Sequence, residues 1–135
     1  MPPALPPSEA PCPCTSGRRF GDCCRPWLTG ADAAPAPTAE ALMRSRYCAW
    51  ALGLRDYLLA TWHPSTRPTD FGELDSRRRW LGLEVRSHRV TGPNTAEVEF
   101  VARSKEAGGR ATRHDELSRF RLETGRWTYV DGDIR

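Results

Sequence analysis

Four of the five cysteines fall within thirteen positions, as Cys12, Cys14, Cys23 and Cys24 of the run APCPCTSGRRFGDCC. A segment of about 20 residues buries too little apolar surface to order itself, so a run like this one needs cross-links or a metal. The preceding MPPALPPSEAP lacks the basic start and apolar core of a signal peptide, and no apolar run approaches the roughly 18 residues of a membrane span. A cytoplasmic location follows as the expectation. Thiols there stay reduced, and a cluster of them serves metal binding or redox chemistry more often than disulfides. The thioredoxin-type C-x-x-C spacing is absent, and iron–sulfur sites share the ligand type but usually at other spacings. The spacing therefore favours one zinc ion per chain, held by Cys12, Cys14, Cys23 and Cys24.

Such a site requires the backbone to reverse between the two cysteine pairs. Ser16 and Gly17 follow the first pair and Gly21 precedes the second, Pro13 stiffens the first, and Phe20 can cover one side. Four thiolates around a divalent ion leave about two negative charges, which Arg18, Arg19 and Arg25 of the same run are placed to offset. The formal charge of the chain is only +3, and nineteen of its twenty basic residues are arginine. These are too dispersed for a nucleic-acid stripe.

The run CPCTSGRRFGDCC resembles the SEC-C motif, a zinc knuckle with the pattern Cys-x-Cys, eight residues, then Cys followed by Cys or His. That motif occurs at the C-terminus of the bacterial preprotein-translocase motor, where it contacts an export chaperone. Thr15 stands where the motif usually has glycine, whereas the later turn glycine, Gly17, is kept. The resemblance implies zinc binding and no catalysis by the knuckle itself, and the basic knuckle would meet an acidic protein or RNA partner.

Composition divides the rest of the chain into a linker at 31–37, after a knuckle region at 1–30, and a domain at 38–135. Thr38 can cap a helix on which Ala39, Leu42, Met43, Tyr47, Trp50 and Leu54 recur on one face. Cys48 lies on that helix and reads as a packing residue without a partner. A second helix spans about Asp56 to Trp62 and ends at Pro64. The period then changes. Leu81, Leu83 and Val85 alternate with polar residues, as do Ala96, Val98, Phe100 and Ala102, and further strands follow at about 112–123 and in RWTYVD. Helices followed by an antiparallel meander give an α+β layer.

The segments TAEALMRSRYCAWALGLRDYLLATWHPSTRP and RHDELSRFRLETGRWTYVDGD resemble the YchJ-like family of small bacterial proteins. The resemblance implies a SEC-C knuckle followed by a cystatin-like, nuclear-transport-factor-2-like cone, and it implies fold better than function. Longer members repeat the knuckle at the C-terminus, and a bivalent role for two knuckles is not expected of this chain.

A concave sheet face can also hold a site. A period of two from Phe120 and Leu122 turns Ser118, Glu116 and His114 inward, and aligns Trp127, Tyr129 and Asp131 on the next strand. With Arg46 from the long helix and His63 from the end of the second, Glu116, His114 and Asp131 would form a small-molecule pocket. The alternative is a structural network built on a Glu116–Arg46 pair. No nucleophile elbow, phosphate loop or two-histidine metal motif accompanies these residues, so no residue is assigned a catalytic role. The arginines of SRRRW at 76–80 read as a solvated face paired with Glu73 and Asp75, and Trp27 as a linker residue free to dock. Two functions remain: an interaction module built on the knuckle, or a ligand-binding or enzymatic cone with the knuckle as accessory.

Overall fold

The computed structural model describes residues 5–28, 34–69, 74 and 77–135. Helix α2, Ala39–Leu52, begins where the sequence places its cap: Thr38 is extended and its Oγ1 accepts from the Ala41 amide at 3.0 Å. It ends at Gly53, whose φ of 76° is the left-handed conformation that glycine adopts without a Cβ penalty. A short helix, α1, spans Arg25–Leu28, and α3 spans Arg55–Ala60. The second helix is shorter than its periodicity suggests, because Trp62 leaves the helix to bridge Tyr129 in parallel.

Four antiparallel strands follow in sequence order: β1 Arg79–Gly92, β2 Thr95–Lys105, β3 Ala111–Glu123 and β4 Arg126–Ile134. The register of β2 on β3 places Ala96, Val98, Phe100, Ala102 and Ser104 opposite Phe120, Ser118, Glu116, His114 and Thr112. The β2 members of that row and Glu116, Ser118 and Phe120 of β3 are buried under the helices. The register shifts at several points in β1 and once in β4, and two of these irregularities bear on the core and the cavity. A register shift between Trp80 and Gly82 leaves Leu81 unpaired and 49% exposed, while Leu83 returns to the core. A second shift, between Arg119 and Phe120, pairs Phe120 with Tyr129 but Arg119 with Asp131. The extra residue in β4 turns everything beyond it to the other face.

The knuckle packs against the cone. Cys12, Cys14, Phe20, Cys23 and Cys24 belong to one apolar cluster with Leu42, Met43, Tyr47, Cys48 and Leu83. Linker composition suggests a knuckle that folds apart from the cone; the structure packs the two into one core. Part of the linker, residues 31–33, lies outside the described residues. Trp27, expected to be available to a partner, instead packs against that core from α1.

Candidate functional site

Residues 10–12 run antiparallel to 18–20, with the Cys12 amide donating to the Arg18 carbonyl at 3.0 Å and the Phe20 amide to the Ala10 carbonyl at 2.8 Å. The chain reverses through Thr15 at φ 58° and Gly17 at φ 90°. Thr15 therefore occupies a conformation that favours glycine, and its hydroxyl compensates. Thr15 Oγ1 accepts from the Leu83 amide at 3.0 Å and also approaches the Leu83 carbonyl at 3.0 Å and its neighbour's, that of Cys14, at 2.7 Å. One side chain thus clasps the knuckle to β1.

That clasp, with Phe20 fully buried beneath it, carries the sulfurs onto helix α2. The sulfurs of Cys12, Cys14, Cys24 and Cys48 all lie within 4.8 Å of one another, and all four residues are buried. Cys12 Sγ is 3.6 Å from Cys48 Sγ. Cys23 adjoins the group, with its sulfur 3.6 Å from Cys14 and 3.9 Å from Cys24, and lies 3.2 Å from Ser16 Oγ. A tetrahedral zinc with bonds of about 2.3 Å spaces its sulfurs about 3.8 Å apart, so the donor set fits a metal ion in chemistry and in size. The expectation that Cys48 packs without a partner does not hold, because docking of the knuckle brings it to Cys12.

Among themselves the thiols are electrostatically unequal. Hydrogen bonds from Cys12, then Cys24 and Cys48, hold the Cys14 thiol far below its ordinary range, and contact with Cys12 and Cys14 pushes Cys24 and Cys48 up. The cation that reaches them is Arg44 of α2, with its guanidinium 3.8 Å from Cys14 Sγ and held by Glu40 at 3.1 Å. Arg18 and Arg19, expected to offset the sulfur charge, are exposed to solvent. Sequence reasoning missed both Arg44 and Cys48. Their four-residue spacing, which puts them on one helix face, was the available signal.

The cone also contains a cavity of about 640 Å³ whose lining includes Trp50, Trp62, Trp80, Arg46, His114 and Glu116. Of the five residues proposed for a pocket, Arg46, His114 and Glu116 are thus brought together. His63 is not: it is buried, its ring bonded to Glu123 Oε1 and Ser65 Oγ at 2.7 Å each. Asp131 is not either, because the β4 irregularity turns it outward, where it pairs with Arg119 at 2.6 Å. Gly132 faces inward in its place, and a Cβ there would collide with the Glu116 carboxylate. Arg78, expected on a solvated face, reaches Ser104 at 2.7 Å and Thr112 at 3.1 Å at the cavity wall. The carboxylates expected to pair with the arginine run, Glu73 and Asp75, lie outside the described residues.

No direct Glu116–Arg46 ion pair occurs among the described residues. Arg46 donates to the Leu58 carbonyl at 2.8 Å and Thr61 Oγ1 at 2.7 Å, with its guanidinium against the rings of Tyr129 at 4.8 Å and Trp62 at 5.1 Å. Burial lowers its pKa to about 10, opposed by the fields of Tyr129, Tyr57 and Glu116. Glu116 accepts from His114 Nε2 at 2.9 Å, Ser118 Oγ at 2.5 Å and Tyr129 Oη at 3.0 Å. Burial opposes its charge, but those three donors outweigh it and hold the carboxyl below its ordinary range. The same bond to Glu116 raises His114, against partial desolvation.

These two shifts give stability a defined pH dependence. A depressed carboxyl stabilises the fold above its unfolded value of 4.5 and loses that contribution as pH falls through its folded value. A raised imidazole stabilises below its unfolded value of 6.5 and loses the contribution as pH rises through its folded value. The pair therefore contributes most between pH 4.5 and 6.5. The His114→Gln substitution is expected to flatten the alkaline limb of a curve of Tm against pH, modestly, since the His114 side chain is 49% exposed. Equal slopes in both proteins would refute the coupling.

Comparison with known proteins places this arrangement. Residues 10–26 match the SEC-C motif, and residues 38–132 match the family described as YchJ, middle NTF2-like domain. A UPF0225 protein of Methylibium petroleiphilum is 58% identical over 126 residues, covering 93% of this chain and 91% of the relative. One from Bordetella parapertussis is 52% identical over 130 residues, covering 96% and 97%. The solution structure of a SEC-C motif containing protein from Rhodopseudomonas palustris superposes with a TM-score of 0.78 at 37% identity, covering 92% of this chain and 98% of that one. A crystal structure of a SEC-C motif containing protein from Psychrobacter arcticus gives 0.75 at 30% identity, covering 95% and 84%. The family and the nuclear-transport-factor-2-like α+β fold read from the sequence are both borne out. Among the described residues no helix is long and apolar enough to cross a membrane.

Proposed function

Since the chain belongs to the YchJ-like family of SEC-C motif proteins, the UPF0225 proteins, we propose that it is a zinc-stabilised interaction module whose knuckle presents a basic surface to an acidic protein partner. The observation that carries this reading is the pair Arg18 and Arg19. Both are exposed on the knuckle, and among the described residues neither has an ion-pair partner, although the arginines of the sheet are widely paired with Asp and Glu. An unpaired surface guanidinium retains its full capacity for a bidentate contact with a carboxylate. Two such groups suit an acidic protein patch better than the long phosphate track of an RNA.

The reading is tested by affinity capture from lysate with the zinc-loaded protein and the Arg18→Glu/Arg19→Glu variant, followed by mass spectrometry. The expected result is an acidic protein retained by the first, released by moderate salt and absent from the second. Capture of the same proteins by both would overturn it.

The cone cavity favours a second reading, a small molecule held among the tryptophans. Its walls are aromatic, but Glu116, His114, Ser118 and Tyr129 already satisfy one another there, which leaves fewer polar groups to select a ligand.

A further inference from the structure

We infer that the fourth ligand of the metal centre is Cys48 of the cone, so that the ion joins the knuckle to helix α2 and Cys23 stands outside the ligand set. The inference rests on the zinc reading and departs from the cysteine pattern of the knuckle, in which adjacent Cys23 and Cys24 would both bind.

Three observations lead to it. The four sulfurs that converge within 4.8 Å are those of Cys12, Cys14, Cys24 and Cys48. Cys48 is fully buried and 36 positions from Cys12 in sequence, yet their sulfurs are 3.6 Å apart, close to the edge of a four-sulfur tetrahedron. Cys23 lies beside this set, 3.6 Å from Cys14 and 3.9 Å from Cys24, but is not one of the four that all converge, and the Ser16 hydroxyl stands 3.2 Å from its sulfur. The surroundings are built for the arrangement. Thr15 fixes the knuckle on Leu83 through both backbone groups, which sets its height over α2, and Arg44, one turn before Cys48, brings a cation to Cys14. A ligand on a capped helix is held more rigidly than one on a loop, and it converts a local knuckle into a link between two parts of the fold.

Cobalt(II) provides the test, because the intensity of its sulfur-to-metal charge-transfer band scales with the number of thiolates and its visible bands report tetrahedral geometry. Full-length protein, Cys23→Ser and Cys48→Ser are titrated with cobalt and then with zinc in competition with a chromophoric chelator. The unsubstituted protein and Cys23→Ser are expected to give the same four-thiolate spectrum. Cys48→Ser is expected to lose about a quarter of the charge-transfer intensity and to weaken zinc binding beyond the roughly 10–100-fold that loss of a ligand's hydrogen-bond partner costs.

A four-thiolate spectrum in Cys48→Ser, or its loss in Cys23→Ser, overturns the inference while leaving the zinc reading intact. Failure of the unsubstituted protein to bind either metal overturns both. Should Cys48→Ser not fold, Cys23→Ser decides alone, since Cys48 is then the only thiol able to complete a set of four.

Discussion

Stripping the metal with a chelator is expected to unfold the cone together with the knuckle in one transition, not to loosen residues 10–25 alone. The Pro- and Ala-rich linker suggests independent parts, but Phe20 and the knuckle cysteines share one core with Leu42, Met43, Tyr47 and Leu83. Structural zinc supplies about 10–16 kcal/mol of apparent free energy in small peptides, comparable with the whole stability of an ordinary domain. Four mutually close thiols without their ion would leave a poorly packed, charge-prone seam beneath α2. Hydrogen exchange with and without chelator measures this directly. Amides of β2 and β3 should lose protection together with those of the knuckle; their continued protection would show that the cone stands without the metal.

Glu116→Ala is expected to cost about 2–5 kcal/mol, because each buried donor left without its acceptor costs roughly 1–3 kcal/mol. The substitution strands the fully buried Ser118 hydroxyl and the Tyr129 hydroxyl, and removes one of the negative fields acting on Arg46, alongside those of Tyr129 and Tyr57. Glu116→Gln should cost about half as much, because its amide oxygen still accepts from Ser118 and Tyr129. Replacing Arg46 by Met in the Ala background should cost less than replacing it alone, since the cation no longer has a counter-charge to lose. Denaturant midpoints of the two single variants and the double variant check this. Strict additivity would show that Glu116 and Arg46 act independently.

Local grammar was sufficient for α2 and β2. Thr38 and Gly53 bound α2 because capping needs only neighbouring backbone groups, and the alternation of Ala96, Val98, Phe100 and Ala102 defines β2 because a half-buried strand has a period of two. Both families of motif are contiguous words, which is why the SEC-C knuckle and the YchJ-like cone are legible in the sequence. The inward row through Glu116 and Ser118 was equally legible, since β3 runs without interruption against β2.

Other placements depended on facts that no local window contains. One extra residue in β4 turned Asp131 to solvent and Gly132 to Glu116, and a pleat has no memory across a bulge. His63 found Glu123 rather than the cavity because the chain leaves α3 to bridge Tyr129. The sequence by itself determined that four crowded thiols in a short segment call for a metal, since that follows from donor chemistry and the smallness of the segment. Which four sulfurs meet was decided by tertiary structure alone: Cys48 joins Cys12, Cys14 and Cys24 because the Thr15 clasp and the buried Phe20 seat the knuckle on α2, and proximity across 36 residues is a property of packing, not of spacing.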